Sequence, residues 1–324
     1  MQPGLPSPDI NLPPSVVVHP VLRWSAEDVF KTPSRADGMS VEAERMERFT
    51  ASSYARDLMR ALFTNDEQCS HAQAQACYYL QLFFMFRSLR QEDSKVVAIA
   101  ASFLACKVID LPRRMRDFLR TLNQQRAKHK EAEFGDEEQR KMCERILKIE
   151  FLILRIIRFD FDQALPLSEL EGLTEAFLVC LTRSEAFKKV CKAPPVQEAQ
   201  GLKRKIREVA SSFILDSFQG LAPLLAPPRI IAAGALVVAT RYTRREMLIP
   251  ELLELLEAAD ASLTSQDVKL AVEEILHVFR TKAKIAPPAA AAAPPATAVA
   301  PSARAATAPV APGTAAAGQP LSSA

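Results

Sequence analysis

The sequence predicts an all-α fold built from two groups of five helices. Three observations carry that expectation. Only six of the nine glycines fall in residues 15–285, apolar residues there recur at helical rather than strand spacing, and prolines or small hydroxyl residues stand where several of the periodic segments begin.

The spacing places helices over residues 40–63, 70–89, 94–109, 112–127 and 137–158. After a break near Pro166 it places five more, over 168–183, 203–219, 228–242, 249–259 and 264–282. Pro112, Pro228 and Pro250 fall at first-turn positions, where a missing N–H costs nothing. Ser70, Ser168 and Thr264 are the candidate N-caps.

The third helix of each group is apolar all round. Val97-Ala98-Ile99-Ala100-Ala101 with Leu104-Ala105-Cys106-Lys107 aligns without a gap on Ile231-Ala232-Ala233-Gly234-Ala235 with Val238-Ala239-Thr240-Arg241. Both stretches are rich in small residues and end on a cation. A helix of that composition is expected at the centre of its group, enclosed by neighbours whose backbones come close. The match supports two copies of one five-helix unit.

The ends differ in composition. Residues 1–14 are rich in proline, and from about Ala286 the chain is almost wholly alanine, proline, threonine and serine, which cannot form a packed core. Residues 1–19 are expected to be a flexible N-terminal segment and 286–324 a disordered tail.

A chain of 324 residues with 48% hydrophobic content can bury a full core. Its 41 basic and 38 acidic residues leave a formal charge of +3, too weak a bias to imply a nucleic-acid or membrane surface. The six cysteines (Cys69, Cys77, Cys106, Cys143, Cys180, Cys191) never form C-x-x-C, and several sit in apolar helical stretches where thiols pack as small hydrophobes. That pattern predicts a reducing compartment. The N-terminus has no basic-then-apolar layout and no stretch of eighteen residues lacks a polar break, so neither a signal peptide nor a membrane span is expected.

Motifs for chemistry are missing from the sequence. His19, His71, His129 and His277 are scattered, with neither H-E-x-x-H nor a nearby cysteine pair, so no metal is expected. G-x-G-x-x-G, G-x-x-x-x-G-K-[ST] and G-x-S-x-G are all lacking. An all-helical interaction protein without cofactor or catalytic residues is the expectation.

One residue is out of place. At about 100° per residue, Glu144, Lys148, Arg155 and Arg158 gather on one polar stripe of the fifth helix. Glu150 falls roughly a third of a turn away, among Cys143, Ile146, Leu154 and Ile157. Two readings of Glu150 are open. It closes an internal salt bridge or reaches water at a rim, or it lies on a surface that a partner covers, since an unpaired buried charge is strongly disfavoured. Lys107 is similarly ambiguous, because a cation at a helix C-terminus is favourable without any function.

Several motifs resemble those of one family. Trp24, Thr32-Pro33-Ser34, Asp37-Gly38, Glu44 and Arg48 are similar to the W…TPS…DG…E…R opening of the transcriptional cyclins, the K, T and L group. Phe103-Leu104-Ala105-Cys106-Lys107-Val108 resembles their F-L-A-x-K-V, and Pro112-Arg113-Arg114 the basic continuation. Phe134-Gly135-Asp136 and Ile156-Ile157-Arg158-Phe159-Asp160 resemble the cyclin K branch. Further on, Phe213-Ile214-Leu215-Asp216-Ser217 and Pro228-Arg229-Ile230-Ile231-Ala232 are similar to F-x-x-D-S and P-x-x-I-A.

The resemblance implies two tandem five-helix cyclin boxes, the first over residues 20–162 with its N-terminal extension and the second over 163–285. It implies a nuclear, non-catalytic subunit that binds and activates a cyclin-dependent protein kinase in transcription, with the C-terminal repeats of RNA polymerase II as substrate. By position, Lys107 and Glu150 match the family residues that hold the backbone of the kinase's regulatory helix. Asp110, Leu154 and Phe159 match further kinase contacts, against a plain reading as a helix-end charge and two core residues. Two departures bear on which kinase is bound: Lys107-Val108-Ile109-Asp110 keeps only the second of two usual acidic residues, and Gln81-Leu82-Phe83-Phe84 stands where the family reads H-R-F-Y. Met59-Arg60-Ala61-Leu62 is read as core packing rather than as the substrate-docking patch of cell-cycle cyclins.

Other classes are weighed against this one. A cyclin-fold nucleic-acid module like transcription factor IIB usually has a zinc ribbon and a more basic core, both lacking here, and a degenerate cyclin box used as a scaffold is the other alternative. Arg113, Arg114, Arg116, Arg120, Arg126, Lys128 and Lys130, and Lys203-Arg204-Lys205, are read as solvated faces before any RNA-binding or nuclear-import role.

Overall fold

The computed structural model describes residues 24–63, 66–128, 130–161, 165–190, 194–259 and 263–285. The proline-rich start, the 286–324 tail, Cys191, His19 and His129 lie outside the described residues. Every element among the described residues is helical.

Two single-turn helices, α1 (Ala26–Val29) and α2 (Pro33–Ala36), lead into α3 (Val41–Leu62), α4 (Asp66–Phe86), α5 (Ser94–Val108), α6 (Met115–Lys128) and α7 (Asp136–Ile156). The second set comprises α8 (Pro166–Arg183), α9 (Glu185–Val190), α10 (Pro195–Ser217), α11 (Ala222–Leu225), α12 (Pro228–Tyr242), α13 (Ile249–Ala259) and α14 (Ser265–Ile285). All ten expected helices are present. The sequence pattern did not mark the short helices α1, α2, α9 and α11.

Boundaries moved where backbone chemistry outweighed periodicity. Helix α6 begins three residues beyond Pro112, because Asp110 adopts a left-handed backbone conformation (φ 56°) and Asp117 accepts from the Arg114 N–H at 3.3 Å. Helix α4 starts four residues before Ser70, and α8 starts at Pro166, so neither Ser70 nor Ser168 is an N-cap. The Ser168 hydroxyl instead donates to the Leu165 carbonyl at 2.7 Å. Helix α10 starts at Pro195, whose fixed φ suits a first turn, eight residues ahead of the expected start. Thr264 does cap α14, accepting from the Asp267 N–H at 3.2 Å.

In the first set, α3, α4 and α5 pack against one another, α7 lies across α4 and α5, and α6 covers α3 and α5. In the second, α8, α10 and α12 pack together and α13 closes on α8 and α12. Helices α5 and α12 are the central ones, with every residue from Val96 to Cys106 and from Ile230 to Thr240 buried. Close backbone approach is required at Gly234, where a Cβ would lie 2.8 Å from the Ala271 Cβ and 3.3 Å from the Val272 amide nitrogen of α14.

The gap-free match between α5 and α12 extends into their ends. Ile109, Asp110 and Leu111 donate to the carbonyls of Ala105, Lys107 and Cys106 at 3.1, 3.2 and 3.0 Å. Thr243, Arg244 and Arg245 donate to those of Ala239, Arg241 and Thr240 at 2.9, 2.9 and 3.1 Å. Asp110 and Arg244 are both left-handed, at φ 56° and 58°.

The motif residues at the front of the chain form a buried polar lock. Thr32 Oγ1 donates to both oxygens of Glu44 (2.9 and 2.8 Å), and Arg48 Nε and Nη2 donate to Glu44 Oε1 at 3.0 and 2.9 Å. Arg48 also reaches the carbonyls of Gln81 (2.8 Å) and Phe84 (2.6 Å) near the end of α4. Ser34 accepts from the Leu89 N–H at 3.0 Å, and Gly38 supplies the positive φ (81°) that turns the chain into α3.

A second polar layer joins the two sets. Gln81, fully buried, donates to Ser52 Oγ and to the Gln219 carbonyl, both at 3.0 Å. Arg56 pairs with Asp216 at 2.6 Å and donates to the Gln219 side chain, which itself donates to Ser53 Oγ at 2.8 Å. Arg45 pairs with Glu274 at 3.1 Å, and the Trp24 N–H donates to the Leu224 carbonyl at 3.0 Å. Cys77 and Cys106 pack as buried thiols, and burial pushes both up to about 12.

Two substitutions test this packing. An interior helical Gly→Ala change normally gains about 0.5–1 kcal/mol, but Gly234→Ala should instead lower unfolding free energy by about 1–3 kcal/mol, as read by urea denaturation. Arg48→Met leaves Glu44 buried without its cation and should cost about 3–5 kcal/mol in the same assay.

Candidate partner-docking surface

The surface forms where the end of α5 meets α7. The last turn of α5 carries Lys107, whose Nζ lies 2.5 Å from Glu150 Oε1 and 4.2 Å from the centre of the Phe103 ring. The Glu150 side chain is only 7% exposed, while that of Lys107 is 43% exposed. The misplaced carboxylate therefore has an internal partner, and that partner is the other residue singled out in the sequence. Of the two open readings of Glu150, the salt bridge is the one the structure shows. Glu150 Oε2 carries no bond to any described residue, and the part-exposed Lys107 ammonium has N–H donors beyond the one that Glu150 takes.

Asp110 is exposed one turn beyond Lys107, in a left-handed conformation that aspartate tolerates. Leu154 is half-buried against the core. Phe159 is not a core residue: it is 57% exposed and left-handed at φ 59°. A bulky aromatic in that region is strained. The expected helix end at residue 158 gives way at Ile156, because Arg158 and Phe159 are both left-handed and Phe159 N–H donates to the Leu154 carbonyl at 3.1 Å.

Periodicity analysis missed three apolar residues here. Leu147 and Phe151 on α7 and Phe161 after it are exposed, Phe151 at 55%. Phe151 falls on the polar stripe between Lys148 and Arg155, so an aromatic on the charged face was the available signal.

Other singled-out residues belong elsewhere. Gln81, Leu82, Phe83 and Phe84 are buried, so their departure from the family pattern acts inside the fold. Met59 is fully buried beside Cys106, as core packing requires, whereas Arg60 and Ala61 are exposed, with Arg60 paired to Asp57, and Leu62 is half-buried. Of the basic run, Arg113 stacks on Phe63 (4.5 Å), and Arg126 stacks on Phe134 (4.3 Å) and pairs with Glu131.

Lys107→Met keeps the contact with Phe103 but strands a nearly buried carboxylate. Unfolding free energy should fall by about 1–3 kcal/mol, and Lys107→Met/Glu150→Leu should recover most of that loss. Equal stability of the single variant and the parent in a thermal melt would show that the pair contributes nothing.

No family model matches the chain. Human cyclin-K is 25% identical over 231 residues, which is 70% of this chain and 35% of that protein. Zebrafish cyclin-K is 24% identical over 231 residues, and cyclin-T1.2 of Caenorhabditis elegans 29% identical over 150 residues. The chain spans 35% of the human and 46% of the zebrafish relative. Among solved structures, a chain of the yeast RNA Pol II CTD kinase CTDK-1 complex matches with a TM-score of 0.59 at 14% identity, over 80% of this chain and 73% of that one. A chain of the Chaetomium thermophilum CAK complex matches with a TM-score of 0.50 at 17% identity, over 82% and 77%. The all-helical fold is thus shared with chains of these two complexes, and the sequence is similar to cyclin K and cyclin T relatives at 24–29% identity.

Proposed function

We propose that this chain is the regulatory, activating subunit of a cyclin-dependent protein kinase acting in transcription, and that it works in the nucleus. The observation that carries the proposal is the preformed Lys107–Glu150 pair at the edge of an exposed apolar strip. The free oxygen of Glu150 would accept from backbone N–H groups of a partner helix, and the outward N–H groups of Lys107 would donate to its carbonyls. Asp110, Leu154 and Phe159 would flank that helix, with Phe151 and Leu147 extending the apolar contact.

The chain brings no catalytic group of its own. Its part is to fix a kinase helix whose glutamate must pair with the ATP-binding lysine before phosphoryl transfer can proceed. The first box, residues 20–162, would supply this contact and the second, 163–285, would brace it through the polar layer around Gln81 and Arg56. The resemblance to a chain of one RNA Pol II CTD kinase complex supports the polymerase C-terminal repeats as the substrate of the complex.

Affinity purification with mass spectrometry tests the proposal, which requires stoichiometric recovery of a cyclin-dependent kinase. Phe159→Asn sharpens it, because asparagine suits a left-handed backbone while removing an apolar contact of about 1.5–3 kcal/mol. Kinase affinity should fall about tenfold or more with an unchanged or higher melting temperature. Undiminished affinity would remove Phe159 from the interface, and absence of any kinase would sink the proposal.

A further inference from the structure

The end of α12 repeats the end of α5 hydrogen bond for hydrogen bond, a capping pattern that the end of α7 also makes, so the ends of α5 and α12 can be compared position by position. Arg241 stands where Lys107 stands, Arg244 where Asp110 stands, and Arg245 where Leu111 stands. The chemistry has changed. Lys107 has Glu150, whereas none of Arg241, Arg244 and Arg245 pairs with a carboxylate among the described residues. Arg241 and Arg244 are exposed, and Arg244 sits at φ 58°, a conformation that disfavours arginine.

An aromatic surface adjoins these cations. Tyr242 is 47% exposed and meets Phe213 edge-on at 5.9 Å, and Phe213 meets Phe279 of α14 at 5.1 Å. Met247, just past the turn, is 52% exposed. Exposed guanidinium groups at Arg241 and Arg244, with an exposed ring at Tyr242 and an exposed thioether at Met247 along the same helix end and turn, suit an anion joined to an apolar group.

We propose that this helix end binds a phosphorylated peptide segment, with its phosphate on Arg241 and Arg244 and a neighbouring aromatic or apolar side chain on Tyr242 and Met247. Arginine rather than lysine at all three positions favours phosphate, whose oxygens match the guanidinium fork. Single-stranded nucleic acid is disfavoured because it draws on a track of cations spaced along successive phosphates, and here they are confined to one helix end. The biological sense of the site rests on the kinase-subunit reading: a subunit that holds phosphorylated segments would keep a partly modified substrate beside the kinase. Binding itself needs no kinase.

The test titrates the isolated full chain into a fluorescein-labelled peptide carrying phosphoserine beside tyrosine, read by anisotropy. The unphosphorylated peptide, a glutamate-substituted peptide and a single-stranded RNA serve as competitors, each expected to bind at least about tenfold more weakly. Arg244→Gly removes one guanidinium and relieves the backbone strain, so affinity should drop about tenfold while the melting temperature holds or rises. Equal affinity for phosphorylated and unphosphorylated peptide, tighter binding of RNA, or an unaffected Arg244→Gly variant would overturn the proposal. Kinase recovery is scored separately, so a chain that captures a kinase but no phosphopeptide sinks this site alone, and the converse sinks only the kinase reading.

Discussion

The buried guanidinium of Arg48 is the constraint on which the rest of the molecule depends. Burial works against its charge and Glu44 restores it, while Thr32 holds the carboxylate from the other side. Its remaining donors reach the carbonyls near the end of α4, so one side chain ties the entry segment, α3 and α4 together. A cation in such a place is tolerable only when every donor is matched, which fixes the geometry of all three elements. From that point Gln81 carries the order onward. Its carbonyl accepts from Arg48 and its amide donates to the Gln219 carbonyl in the second set, so the lock at the front and the joint between the sets share one residue.

That sharing changes the meaning of the family motifs. Thr32, Glu44, Arg48 and Asp216 carried the resemblance in the sequence, yet each spends its polar atoms inside the chain. They hold the scaffold, and the surface that could face a partner is made from less regular residues. The end of α5 and the middle of α7 come together because α5 is central and α7 crosses it. The position of Lys107 and Glu150 then follows from packing.

Much of this was legible in the sequence because helical periodicity and small-residue content are strong, local signals. The central helices could be picked out by their alanines and Gly234, and the odd face of Glu150 could be read from angle alone. Boundaries were less legible. The start of α6 was misplaced because the left-handed turn at Asp110 has no glycine to announce it, and the start of α10 because residues 195–202 carry little apolar periodicity. Phe159 was ambiguous for a related reason: whether an apolar residue just past a helix end is buried depends on a backbone turn that its own sequence does not encode. The partnership of Lys107 with Glu150 needed three-dimensional information, since 43 residues separate them.

The joint between the sets also bears on how the chain is made. Trp24 closes on the carbonyl of Leu224, Arg45 on Glu274, and the Gly234 face of α12 on α14. The first two of these contacts join an early residue to one synthesised much later, and such non-local closures slow folding because loop entropy is lost before contacts compensate it. On the ribosome, α3 to α7 can assemble while the rest is still being translated. The Trp24 contact must wait for α11, and the Arg45 contact and the packing of α12 must wait for the final helix to emerge. Until then α12, apolar on every side, lacks its last neighbour, and that interval is when the nascent chain most needs a chaperone.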